Sequence, residues 1–347
     1  MEIYPWLQSD FERLTERLED LHHGLMLTGL VGIGKQAFAI ILAQKLLCQE
    51  KDTEGMTPCR NCQSCRLFSA GTHPDFHLLT SEHQVVESEN DLMAAYSARY
   101  QDTAAREKRA SPSRVIPIDQ VRSLIQRFTT RSHISSHKVA VITPAEGMNI
   151  SSSNALLKLL EEPPEDSTLI LVSTQPGYLP ATIRSRCMNI KLNAPDTEQQ
   201  KQWLMDFMPQ NESEMMMSLI PDGPLAVLKY YQQDYLDQHQ QMLKGVSAIA
   251  MQQVNGIEVA AKFSKQEFRT TLLWLQNFVS DLIKWRSGAK IPSWTGQTNL
   301  KIEGISMQSL FFLYDKIGFY KKIAREQLNE QLALEDLMLI FQRVLAR

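Results

Sequence analysis

The sequence predicts an α/β fold, a parallel sheet covered by helices on both faces and followed by a helical region. Three observations predict it. Five short apolar runs are separated by helix-like segments over the first 190 or so residues, as in a sheet buried on both sides. A glycine-rich loop, "GLVGIGK" at 29–35, stands between the first run and an apolar helix, the context that makes a phosphate loop credible. Beyond "NAPDTEQQ" at 193–200 the strand signals fade and helical spacing takes over.

The elements follow in order. The apolar runs are "GLML" before the loop, "FHLLT" at 76–80, "KVAVIT" at 138–143, "TLILVS" at 168–173 and "MNIKL" at 188–192. The helix "QAFAIILAQKLL" follows the loop directly. "SSSNALLKLLEEPPE" at 151–165 is a punctuated helix, with a serine to cap its start and Pro163–Pro164 to forbid its continuation. Between these, the stretch 82–114 is polar and charged and reads as a mobile loop. Its Arg106, Lys108 and Arg109 read as a solvated charge run, with contact to a phosphate backbone as the alternative. In the last part, "TLLWLQNFVSDLIKW", "SLFFLYDKIGFYKKI" and "LALEDLMLIFQRVL" repeat apolar residues at helical spacing. The stripe Met215–Met217 reads as core or subunit contact. No internal repeat is found.

Composition bounds the function. With 347 residues and 43% hydrophobic content the chain can bury a core and fill two or three domains. A formal net charge of -3 excludes a global basic field, so any contact with DNA must be a local patch. "MEIYPWLQSD" lacks the basic region and apolar core of a signal peptide, and no apolar run nears the roughly 18 residues of a membrane helix. A soluble, cytoplasmic protein is expected.

Four of the five cysteines lie close together, as Cys48-x10-Cys59-x2-Cys62-x2-Cys65, and Cys187 stands alone. In a reducing compartment such a cluster suggests a metal rather than disulfides. Four thiolates complete a closed tetrahedral zinc site with no position open for water, hence structural rather than catalytic. An iron–sulfur cluster is the competing metal, and four free buried thiols the bland alternative.

The phosphate loop G-x-x-x-x-G-K-[ST] needs a hydroxyl at its end to hold magnesium. Gly29, Gly34 and Lys35 are in place and Gly32 adds backbone freedom, but Gln36 occupies the hydroxyl position. An active ATPase also carries acidic residues at the end of its third strand. Here Thr143 and Pro144 stand there, and Glu146 is displaced two residues further. With two magnesium-handling positions altered, loss of hydrolysis is expected. The glycines would then serve the turn, and Lys35 could still meet an anion at the helix N-terminus.

"LPATIRSRCMNI" at 179–190, with "NALLKLLEEPPE" and "GLVGIGKQ", resembles the clamp-loader branch of the AAA+ proteins, whose signature SRC is Ser185–Arg186–Cys187 here. A degenerate phosphate loop, a four-cysteine module after the first helix and an intact SRC together look like the delta-prime family of bacterial DNA polymerase III. "YPWLQSDFERL" and "NEQLALEDLML" are also similar to that family. The resemblance covers most of the chain. It is most specific over 24–66 and 138–190, and loose through the last helices.

The resemblance implies an AAA+ P-loop module with an inserted zinc module at 1–192, a small helical lid at 193–235 and an all-helical collar for oligomerisation at 236–347. It implies an open five-membered ring with gamma/tau and delta subunits, acting on a sliding clamp and primed DNA within a DNA polymerase holoenzyme. Arg186 would be a finger presented in trans to a neighbour's ATP site. Arg184 is basic and nearby but does not match the motif position. Thr174 falls near the position that senses phosphate in active relatives, and would be a relic here. No intrinsic ATPase is expected, and ATP binding by Gly29, Gly32, Gly34, Lys35, Gln36 and Thr174 should be weak or absent.

Two departures stand out. "PDGPLAVL" at 221–228 lacks the basic nucleotide sensor of active members, and the stretch 82–114 is longer than the family implies. Two other readings compete. A working P-loop ATPase lacks the hydroxyl and acidic residues it needs. A zinc-bearing nucleic-acid module has only two arginines in "TPCRNCQSCRLF" and no recognition helix.

Overall fold

A computed structural model of the chain describes residues 2–50, 57–88, 90–101, 112–289, 304–324 and 328–345. The chain divides into two compact units. One holds residues 1–210 and 222–227, the other 211–221 and 228–347.

The first unit is built on a five-stranded sheet in the order β2-β3-β4-β1-β5. Its strands are β1 (Gly24–Thr28), β2 (Phe76–Leu79), β3 (Lys138–Ile142), β4 (Ser167–Ser173) and β5 (Met188–Lys191). All neighbours are parallel, with Leu25 opposite Ile170, Ala140 opposite Leu169 and Leu27 opposite Ile190. The first four strands are buried along their whole length, which is why they read as unbroken apolar runs instead of alternating ones.

Alternation reappears in what each residue packs against, since successive side chains take opposite faces. Leu25, Leu27, Val139, Val141, Ile170 and Val172 join a core with the helix Lys35–Leu47 and the N-terminal helix Gln8–Thr15. Met26, Ala140, Ile142, Leu169 and Leu171 join a second core with the helices Ile118–Phe128 and Ile150–Glu161. The sheet is therefore covered on both faces, and every βα connection at the C-terminal strand ends opens to the same edge.

Two details differ from the sequence reading. The cap of the helix Ile150–Glu161 is Asn149, not a serine: its Oδ1 accepts from Ser152 N at 2.8 Å and from Ser152 Oγ at 2.9 Å. The stretch 82–114 is not simply a loop, because it contains the helices Glu82–Ser88 and Asp91–Ser97. Met93 and Tyr96 of the second helix are fully buried and dock it on the sheet. Arg106, Lys108 and Arg109 lie outside the described residues.

The second unit is helical throughout its described residues. Its longest elements are Tyr235–Ala250, Phe268–Arg286, Met307–Ile323 and Glu330–Leu345. Trp274 stacks on Phe278 at 5.0 Å between ring centroids, and Leu282, Leu337 and Phe341 are buried. Of the methionine stripe, Met216 is buried and Met215 and Met217 are half-buried. No helix among the described residues is long and apolar enough to cross a membrane.

Candidate functional site

The glycine loop leaves the end of β1 and feeds the helix Lys35–Leu47, as the motif requires. Gly32 and Gly34 have φ of +73° and +92°, the left-handed region that only glycine enters without strain. Both are also approached too closely for any side chain. A Cβ on Gly32 would lie 2.5 Å from the Ala226 nitrogen, and one on Gly34 would lie 2.4 Å from the Tyr4 ring.

Other parts of the chain meet three carbonyls of this loop. Gly223 N–H donates to the Val31 carbonyl at 2.7 Å, and Leu225 N–H donates to the Gly32 carbonyl at 2.9 Å. Trp6 Nε1 donates to the Ile33 carbonyl at 2.9 Å. Tyr4 stacks on Trp6 at 5.1 Å, with the Trp203 ring edge-on to both. "YPW" at 4–6 and "GPLA" at 223–226 thus press on the loop from two distant parts of the sequence.

Lys35 is bent back into the loop. Its Nζ donates to the carbonyls of Gly29 at 3.0 Å and Leu30 at 2.6 Å. Only 5% of the residue is exposed. Burial lowers the ammonium pKa to about 8, with the charges of Glu146 and Asp222 pulling the other way. Gln36 turns its amide to the Met93 sulfur. At the end of β3, Glu146 lies in a short turn after Pro144, and Thr174 N–H and Oγ1 both donate to its Oε1, at 3.0 and 2.5 Å. The displaced acid and the threonine after β4 are thus paired with each other. Each is a candidate from its own stretch of sequence, but their pairing shows only in the fold.

The four clustered cysteines converge. Their sulfurs all lie within 4.8 Å of one another, and Cys59 Sγ is 3.8 Å from Cys65 Sγ. A tetrahedral ion with metal–sulfur bonds of about 2.3 Å requires sulfurs about 3.8 Å apart, so the set fits a closed four-thiolate site. Arg60, at φ of +61°, turns the chain between Cys59 and Cys62. Cys62 N–H then donates to Cys59 Sγ and Cys65 N–H to Cys62 Sγ. Such a group could hold a metal ion that cross-links the end of the helix Lys35–Leu47 to the start of Gln63–Ser69, and no position is left for catalysis. Cys187 lies apart, against the core on the other face of the sheet.

The module is pinned by a network that sequence reasoning missed. Ser64 Oγ donates to the Leu47 carbonyl at 2.6 Å and meets His73 Nε2 at 2.9 Å. Asp75 accepts from the backbone N–H groups of His133, Ile134 and Ser135 at 2.7, 2.8 and 2.9 Å. Burial raises the Asp75 pKa, but these three donors outweigh it and hold the carboxyl below its ordinary value. The residues resemble a catalytic triad in composition alone, since the carboxylate is spent on backbone amides.

The SRC residues form a turn between the short helix Ala181–Arg184 and β5. Arg186 Nη2 pairs with Glu161 Oε1 at 2.7 Å, and Nη1 donates to the Thr182 carbonyl at 3.0 Å. The side chain is 36% exposed and that of Glu161 50%. Arg184 is exposed on the surface.

Fold and site together define a P-loop module whose glycine loop packs against two other segments of its own chain. The family model described as DNA polymerase III, delta subunit, matches residues 8–196, and that described as its C terminal matches residues 233–343. The chain is 30% identical to DNA polymerase III subunit delta' of Pseudomonas aeruginosa, covering 82% of this chain and 78% of that one. It is 27% identical to the subunit delta' of Escherichia coli, over 88% and 82%. Its backbone is similar, at a TM-score of 0.48, to a DNA polymerase III gamma subunit-related protein of Thermotoga maritima, 16% identical, covering 96% and 99%. The chain belongs to the delta-prime subunit family of bacterial DNA polymerase III.

Proposed function

We propose that this chain is the non-hydrolysing member of a clamp loader and that it supplies Arg186, in trans, to the ATP site of a neighbouring gamma or tau subunit. The delta subunit, the sliding clamp and primed DNA are its other partners in this reading, and it works in the cytoplasm. The AAA+ module at 1–192 carries the finger, the lid at 193–235 covers the loop, and the collar at 236–347 joins the ring. Zinc in the four-thiolate site is structural.

The observation that carries the reading is the contrast between two sites in one module. The phosphate-loop lysine is turned inward onto the Gly29 and Leu30 carbonyls, and Gly223 and Leu225 N–H groups donate to the Val31 and Gly32 carbonyls. The SRC arginine keeps 36% of its side chain exposed. Charge builds on the phosphate oxygens during phosphoryl transfer, and a planar guanidinium that never deprotonates stabilises it. A subunit lacking magnesium ligands can contribute that group without hydrolysing anything itself.

Reconstitution tests the proposal. Clamp loaders are assembled from the same organism's gamma/tau and delta subunits with and without this chain, and clamp loading on primed DNA is measured. Loading that requires the chain, while the chain alone hydrolyses no ATP, supports the reading. Magnesium-dependent hydrolysis by the isolated chain, or full loading in its absence, contradicts it.

A further inference from the structure

The helix Ile150–Glu161 ends against the rule for helix ends. Glu161 closes it and Glu162 caps it, so two carboxylates sit where the partial negative charge of the helix disfavours them. Lys158 is the one basic residue of the last turn. A broken local rule is a place to look for function. What compensates here comes from elsewhere in the chain, in the guanidinium of Arg186 at 2.7 Å from Glu161.

The helix end is itself fixed. His23 meets the Leu160 carbonyl through Nε2 at 3.0 Å, and Glu162 N–H donates to the Lys158 carbonyl at 3.0 Å. The SRC turn is fixed as well. Arg186 N–H donates to the Ile183 carbonyl at 3.1 Å, and a Cβ on Gly24 at the start of β1 would lie 3.1 Å from the Arg186 carbonyl. Glu161 and the Arg186 backbone are therefore held on the same rigid strand end. A guanidinium offers five N–H donors. Among the described residues, one is bonded to Glu161 and one to the Thr182 carbonyl, which leaves the others for a phosphate.

We infer that Glu161 is the positioning residue of the Arg186 finger: it grips one edge of the guanidinium so that the remaining donors are presented to the neighbour's nucleotide in one orientation. The inference rests on the trans-finger reading of Arg186. A long side chain that is more than a third exposed otherwise samples many rotamers, and ordering it at the moment of reaction costs entropy. Prior ordering removes that cost from the barrier.

The test compares reconstituted rings carrying the wild-type chain, Glu161→Ala, Glu161→Gln, Arg186→Ala or the double variant Glu161→Ala/Arg186→Ala, each checked for assembly by gel filtration. DNA-stimulated ATP turnover is resolved into kcat and KM for the site facing Arg186, with the other sites silenced in their phosphate loops. Glu161→Ala is expected to lower kcat by roughly ten- to a hundredfold, up to the cost of an ångström-scale misplacement, with KM little changed. Glu161→Gln, which keeps an oxygen acceptor, should recover much of the loss, and the double variant should be no worse than Arg186→Ala. If Arg186→Ala lowers kcat while Glu161→Ala leaves it unchanged or raises it, the positioning inference is overturned and the finger stands. Loss in the double variant beyond Arg186→Ala also overturns it, because Glu161 would then act independently. If Arg186→Ala itself changes nothing, the finger reading fails first and takes the inference with it.

Discussion

Leu225 N–H donates to the Gly32 carbonyl across 2.9 Å, joining the segment 223–226 to the heart of the glycine loop. Gly32 can accept this contact because it has no side chain: a Cβ would lie 2.5 Å from the Ala226 nitrogen and 2.9 Å from the Gly223 carbonyl. Gly32→Ala is expected to destabilise the first unit by roughly 2–3 kcal/mol, from positive φ and the clash together. Urea unfolding measures it, and an unchanged midpoint would show that the segment is not seated on the loop.

The altered loop should not be repairable at one position. Gln36→Thr restores the hydroxyl, but Lys35 stays bonded to the Gly29 and Leu30 carbonyls and Thr143 and Pro144 still replace the strand-end acids. Steady-state ATP turnover by the isolated variant is expected to match the background of the wild-type chain. Magnesium-dependent turnover in Gln36→Thr would place the whole loss at that residue.

Protein purified without added metal should carry about one zinc per chain and negligible iron, as a closed four-thiolate site implies. Cys62→Ser should lose the metal and loosen residues 57–69, read by hydrogen exchange, while Cys187→Ser should keep it. A brown, iron-containing preparation, or zinc retained by Cys62→Ser, would contradict the assignment of Cys48, Cys59, Cys62 and Cys65.

Acid should weaken the second unit through His239. Burial lowers its pKa to about 4, and its Nδ1 accepts from Trp274 Nε1 at 2.6 Å, which requires that nitrogen to be unprotonated. The unfolded imidazole takes up its proton near pH 6.5. The unfolded state therefore binds more protons between the two values, and stability is lost as pH falls through that window. The full effect is about 3 kcal/mol. Denaturant unfolding at pH 7 and pH 4.5 should show a steeper loss for the wild-type chain than for His239→Phe, and equal slopes would refute this account of His239.

The sheet was legible because each strand is buried on both faces and so carries an unbroken apolar run. The cysteine site was legible because its ligands are close in sequence. The cover over the glycine loop was not. Tyr4, Trp6, Gly223 and Ala226 come from both ends of the first unit, and nothing in their own neighbourhoods marks them as partners of Gly32 and Gly34. The pairing of Glu146 with Thr174 was hidden for the same reason. The two helices within 82–97 are hard to read because each has only seven residues, too few for a clear apolar period, although Met93 and Tyr96 dock the second. Asn149 is as good a cap as the serines beside it, so the sequence alone does not choose between them.

Two basic residues of this chain, Lys35 and Arg186, should weigh very differently in the assembled ring. Rings carrying Lys35→Met or Arg186→Ala should be compared in one assay of DNA-stimulated ATP turnover, after gel filtration has confirmed assembly. Fingers of this kind contribute roughly 10³–10⁵ in rate at the site they serve. Arg186→Ala is therefore expected to silence one site and lower the ring's total turnover, while Lys35→Met leaves turnover at the wild-type level. Normal turnover with Arg186→Ala, or loss of turnover with Lys35→Met in intact rings, would contradict the claim that this chain works through its arginine and not through its own phosphate loop.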